Sequence, residues 1–90
     1  VLAPESNVNG VKDGSLILGN MMLAAHSIGL SSCWINREDG MFASEEGKKL
    51  MKDWNLPEGL MGVGALALGY ASAHPHTVKP RKEGYYRIIK

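Results

Sequence analysis

Residues Asp13–Ile35 read DGSLILGNMMLAAHSIGLSSCWI, and this stretch decides the fold. Asp13 is a favourable N-cap, because its carboxylate can accept from the free N–H groups of a first helical turn. The spacing predicts a helix from about Gly14 to Ile28, roughly 22 Å long at 1.5 Å per residue. Gly29 is expected just past the helix end, where the chain needs a left-handed backbone. Ser31–Asn36 then reads as a short strand, since Cys33, Trp34 and Ile35 are β-formers. Apolar residues fall on nearly every face of the helix, which predicts burial all round. The run Met21-Met22-Leu23 reads as plain core in preference to a cofactor-facing patch.

A chain of 90 residues allows one small domain at most. A domain of that size has too little core to surround such a helix. Cover is therefore expected from the remainder of a larger domain or from a second copy of the chain. Val1-Leu2-Ala3-Pro4 reads as the end of a buried strand with no turn or cap before it, so the chain is expected to be a piece of a longer or cleaved protein.

Apolar residues make up 44% of the chain, which is ordinary for a globular sequence and excludes disorder by composition. A formal charge of +1 gives no general drive toward nucleic acid or an anionic membrane surface. The charge is nevertheless uneven. Residues 79–90 hold Lys79, Arg81, Lys82, Arg87 and Lys90 against Glu83, a net +4 that leaves −3 for residues 1–78. The single Cys33 excludes an internal disulfide and fits a reducing, cytoplasmic setting. No apolar run reaches the length of a membrane span.

Beyond the opening segment, Glu5–Lys12 reads as a loop and Arg37–Ala43 as a loop or short helical turn. Ser44 is expected to cap a second helix running to about Trp54. Glu45 and Glu46 lie at its positive end, Lys48, Lys49 and Lys52 lie nearer its negative end, and Leu50, Met51 and Trp54 share one face. Asn55–Gly59 ends it. Leu60–Ala71 reads as one buried strand, Ser72–Pro80 as a loop, and Tyr85–Ile89 as a possible final strand.

Several chemical motifs dissolve on inspection. Gly62-x-Gly64 with Gly69 lacks the spacing and the following acidic residue of a dinucleotide loop, so these glycines read as packing positions. Cys33 and His26 lack a third group to orient them as nucleophile and base, and Cys33 reads as a small buried hydrophobe. His74-Pro75-His76 has no nearby Cys or carboxylate to complete a metal set. Lys79-Pro80-Arg81-Lys82 is the remaining binding candidate, set against a solvated basic tail. Arg offers a phosphate a planar fork and Lys a point charge, while Pro80 stiffens the backbone between them.

Three segments together resemble the FMN-dependent nitroreductase family: Asn20–Leu30 running directly into Ser31–Ile35, the strand ending Leu68-Gly69-Tyr70, and Lys79-Pro80-Arg81-Lys82 followed by an aromatic tail. The resemblance implies an α+β nitroreductase-like fold, a mixed sheet flanked by helices, with residues 1–90 forming the C-terminal half of a single domain. It implies a homodimer with FMN at the subunit interface. The backbone of Trp34, Ile35, Asn36 and Arg37 is then expected near the N5 and O4 edge of the flavin. Lys79 and Arg81 are expected on its phosphate, with Lys82 able to substitute. The activity implied is two-electron reduction, in which NAD(P)H gives hydride to the flavin and a nitroaromatic, quinone or similar small acceptor receives it. No side-chain acid or base need take part. The alternatives are a flavin-binding relative without nitroreductase activity and a non-enzymatic assembly fragment. Two features depart from the family pattern. Ser31 replaces a common glycine, and Asn36-Arg37 replaces the acidic-Gly pair of some members. The arginine/serine-rich FMN motif near the start of the family's domain has no counterpart here.

Overall fold

The computed structural model describes all 90 residues. Its longest element is α1, Gly10–Ser27, which starts a turn earlier than the sequence predicts. Asn9 is the N-cap and its side chain makes no capping bond. Asn7 folds the entry instead: its Oδ1 accepts from Asn9 N–H at 2.9 Å. Asp13 therefore lies inside the helix, where it supplies the first-turn negative charge that suits a helix N-terminus. The other end matches expectation. Gly29 has φ +81°, its N–H donates to His26 O at 3.1 Å, and Leu30 N–H donates to Ala25 O at 2.9 Å. This double closure satisfies the last carbonyls of the helix and turns the chain directly into the next strand.

The strands β1 (Leu2–Pro4) and β3 (Leu60–Gly62) pair antiparallel, with Ala3 opposite Met61. Likewise β2 (Ser31–Ile35) pairs antiparallel with β4 (Ala65–Gly69), with Cys33 opposite Ala67. The expected single strand over Leu60–Ala71 is thus two strands in two sheets, parted at Val63-Gly64. The main chain of Val1 fills the break. Val63 N–H donates to Val1 O at 3.0 Å, and Val1 N donates to Gly64 O at 2.7 Å. Gly64 passes beneath α1 and β2 so closely that a Cβ there would stand 2.7 Å from Leu18 Cδ1 and 3.2 Å from Trp34 Nε1. Close passage of this kind is what the packing reading requires at Gly64; Gly69 does not meet it, since a Cβ there would find nothing within 4 Å.

Two short helices complete the chain: α2 (Glu38–Ala43) and α3 (Glu45–Asp53). Ser44 separates them as expected. Its Oγ accepts from Gly47 N–H at 3.1 Å and donates to Met41 O at 2.6 Å. Phe42 and Trp54 meet as tilted rings with centroids 6.3 Å apart. The first turn of α2 rests on β3, where a Cβ on Gly62 would lie 2.1 Å from Glu38 O. That neighbour is backbone and cannot rotate away. Gly62→Ala should therefore destabilise the protein by about 1–3 kcal/mol, as overpacking against a fixed wall does. Thermal unfolding of the variant beside the wild type checks it, and an unchanged midpoint would mean that α2 does not rest on β3 this closely.

Only Leu18 is a fully buried large side chain, and the buried apolar residues are Ala3, Leu18 and Ala25. The expectation of a helix buried on all sides is not met within this chain. Along α1 only Gly10, Gly14, Leu18 and Ala25 are buried, while Leu16 and Leu23 are 70% and 71% exposed. Met21 and Leu23 accordingly do not form core here, and Cys33 is exposed. The reason is geometric. The two small sheets lie on one side of α1 and nothing in residues 1–90 reaches the other. The Cα radius of gyration, 17.0 Å, exceeds the roughly 12 Å of a closed domain of this length. Tyr85–Ile89 forms no strand. Its β-formers lie exposed because they pair with no strand of this chain. No helix is long and apolar enough to cross a membrane.

Candidate functional site

The turn at the end of β2 is built by competition between two neighbours. The ladder to β4 holds the strand as far as Ile35, opposite Ala65. After two intervening residues α2 begins at Glu38. Asn36 and Arg37 are the link, and both are exposed. Trp34, half-buried, lays its indole nitrogen beside Gly64 and so anchors the strand from below. Ile35 is 41% exposed and leaves an apolar surface next to the turn.

The backbone N–H groups of the link differ. Arg37 N–H donates to Glu38 Oε2 at 2.8 Å. Asn36 N–H belongs neither to the ladder nor to this bond. Glu38 was not singled out in the sequence. It is the buried charged residue of the chain, 6% exposed, and the only prior signal was its position at the start of a predicted turn.

Lys79, Arg81 and Lys82 lie beyond β4 in a segment without regular structure, and all three are exposed. None is in an ion pair; the chain's one salt bridge joins Lys48 and Glu45 at 3.7 Å on the surface of α3. A shallow groove runs along residues 81–88 and includes Arg81, Lys82 and the two tyrosines. The residues expected at the site thus fall into two groups, the β2 turn and the basic segment. Residues 34–37 form one contiguous turn. No hydrogen bond or ion pair within the chain joins that turn to Lys79 or Arg81.

A cleft that the sequence did not announce opens between α2, α3 and the turn into β3. It encloses about 620 Å³, with Phe42, Met51, Leu56 and Met61 on its apolar wall and Lys48 and Lys52 at its edge. The apolar face of α3, including Met51, was the available signal. Neither this cleft nor the groove is lined by Trp34–Arg37.

With this geometry, residues 3–70 match the profile of the nitroreductase family. The chain belongs to that family, and its α+β arrangement is a nitroreductase fold. Among solved structures it is similar to a nitroreductase from Bacteroides fragilis determined with bound FMN, at 29% sequence identity and a TM-score of 0.84. That similarity covers 99% of this chain and 48% of the Bacteroides protein, so the chain spans about half the length of the structure it matches. No curated protein sequence matches the chain. The family match includes Trp34–Arg37 and ends before Lys79, whereas the structural match extends over the basic segment as well.

Proposed function

We propose that residues 1–90 form the C-terminal half of a nitroreductase-type domain that binds FMN. In this reading it works as an NAD(P)H-dependent oxidoreductase, as a homodimer in the cytoplasm. The observation that carries the reading is the structural likeness, over nearly the whole chain, to a nitroreductase that holds FMN.

The residues present fit the two ends of that cofactor. Three unpaired cations at Lys79, Arg81 and Lys82 are a donor set suited to a phosphate dianion. The free N–H of Asn36, next to the exposed Ile35, suits a planar ring whose edge accepts a hydrogen bond and whose face is apolar. When bound, FMN supplies the chemistry of accepting and passing on a hydride. The chain's own task is to hold and polarise. Asn36 N–H offers partial positive charge where negative charge collects during reduction, and such preorganised donors stabilise charge without reorganising at the moment of reaction. Trp34, wedged by Gly64, keeps the end of β2 in place. Lys79 and Arg81 hold the phosphate and so fix where the ring lies.

Titration with FMN, followed by quenching of flavin fluorescence, tests the reading. The expected result is a saturable 1:1 complex that oxidises NAD(P)H faster when a nitroaromatic or quinone is added. A yellow complex that turns over NAD(P)H with neither acceptor would favour a flavin-binding relative of different activity. Absence of any FMN complex would leave an assembly fragment.

A further inference from the structure

We infer that Glu38 is a positioning residue that decides which amide of the β2 turn is open to a ligand; its bearing on flavin rests on the reading above. Four observations meet at this side chain. Glu38 is 6% exposed, the buried charge of the chain. Its Oε2 accepts from Arg37 N–H at 2.8 Å. No cation pairs with it, since the one salt bridge lies elsewhere on α3. Its main chain is pressed from the far side by β3, because a Cβ on Gly62 would stand 2.1 Å from Glu38 O and 2.8 Å from Glu38 Cβ.

Oε2 finds its partner in Arg37 N–H, while the second carboxylate oxygen, with no partner in the chain, keeps contact with solvent. A bond from an amide to an ionised acceptor is stronger than a neutral one. Glu38 itself has little room to move, held by Gly62 on one side and by its own helix on the other. The consequence is a choice between two neighbouring amides. Arg37 N–H is committed to the protein. Asn36 N–H, the other amide between β2 and α2, remains for a ligand. The family pattern of an acidic-Gly pair at Asn36-Arg37 is replaced here, and the carboxylate that shapes the turn comes from the next residue along the chain.

Amide hydrogen exchange on the isotope-labelled protein, with and without FMN, reads both amides separately. Without FMN, Arg37 should be protected in the wild type. Protection should persist in Glu38→Gln, whose side-chain oxygen can accept the same bond. In Glu38→Ala it should fall about tenfold or more, the scale of one hydrogen bond to a charged group. Addition of FMN should protect Asn36 in the wild type and in Glu38→Gln, and should leave Arg37 unchanged. Equal Arg37 exchange in wild type and Glu38→Ala would overturn the positioning role, as would protection of Arg37 instead of Asn36 by FMN. If FMN protects no amide at all, the flavin reading fails, while Arg37 exchange still reports on the clamp. Should Glu38→Ala not fold, the wild type decides without FMN: Arg37 N–H should exchange at least about tenfold more slowly than Asn36 N–H, and an Arg37 amide that exchanges as fast as Asn36 overturns the role.

Discussion

Leu23→Asp should abolish soluble assembly of the protein. Leu23 is 71% exposed within this chain, and with Leu16 two turns earlier it makes the side of α1 opposite Leu18 and Ala25 an open apolar surface. A helix with apolar residues on every face is stable in water only when something covers it. Contiguous exposed apolar patches are uncommon on monomers and mark association surfaces. In the assembled protein an aspartate at this position would be an unpaired charge in an apolar contact, which costs several kcal/mol. Analytical ultracentrifugation of the variant beside the wild type makes the comparison. The expected outcome is aggregated or dissociated material from the variant. A soluble Leu23→Asp protein with wild-type sedimentation would show that this face of α1 is never covered.

The double variant Lys79→Ala/Arg81→Ala should weaken FMN binding by about 3 kcal/mol, roughly a hundredfold in Kd, as the loss of two charge-assisted contacts implies. The pair flanks Pro80, so the backbone between them is already restricted and less entropy is lost when both engage a phosphate. Neither cation has a carboxylate partner in the chain, so replacing them leaves no orphaned acid and should not disturb folding. Riboflavin, which lacks the phosphate, is the control: its affinity should be the same for wild type and variant. Equal FMN affinity for the two proteins would remove Lys79 and Arg81 from the site and return them to the solvated tail.

Where local chemistry specifies an element, the sequence was readable. The Gly29 stop followed at once by β2 and the Ser44 cap of α3 are both present. Each is set by residues within one turn of the feature: a residue free to take positive φ, and a hydroxyl in reach of an orphan N–H. The start of α1 was misplaced for a related reason. Asp13 is a competent cap, but the turn around Asn7 and Asn9 nucleates the helix a turn earlier and takes that role from it.

Features that depend on long-range neighbours were not readable. The division of Leu60–Ala71 into strands of two different sheets arises from Val1 main chain bonding across Val63-Gly64, a contact between residues 63 positions apart in the sequence. The burial of Glu38 depends on β3 arriving behind it, and nothing in the local sequence marks this glutamate as different from Asp39 beside it.

By itself, the sequence determined the order and type of the main helices and the short strand after α1, because capping, backbone permissiveness and side-chain periodicity are local properties. It also carried the family, since Asn20–Ile35 and Leu68–Tyr70 lie within the matched residues. Only the tertiary structure decided which strands pair, which amide of the β2 turn is taken by Glu38, and that one side of α1 remains open. These depend on which distant segment reaches a given surface. For α1 the apolar pattern stated that a cover is required, but only the placement of the two sheets on its other side established that residues 1–90 do not provide it.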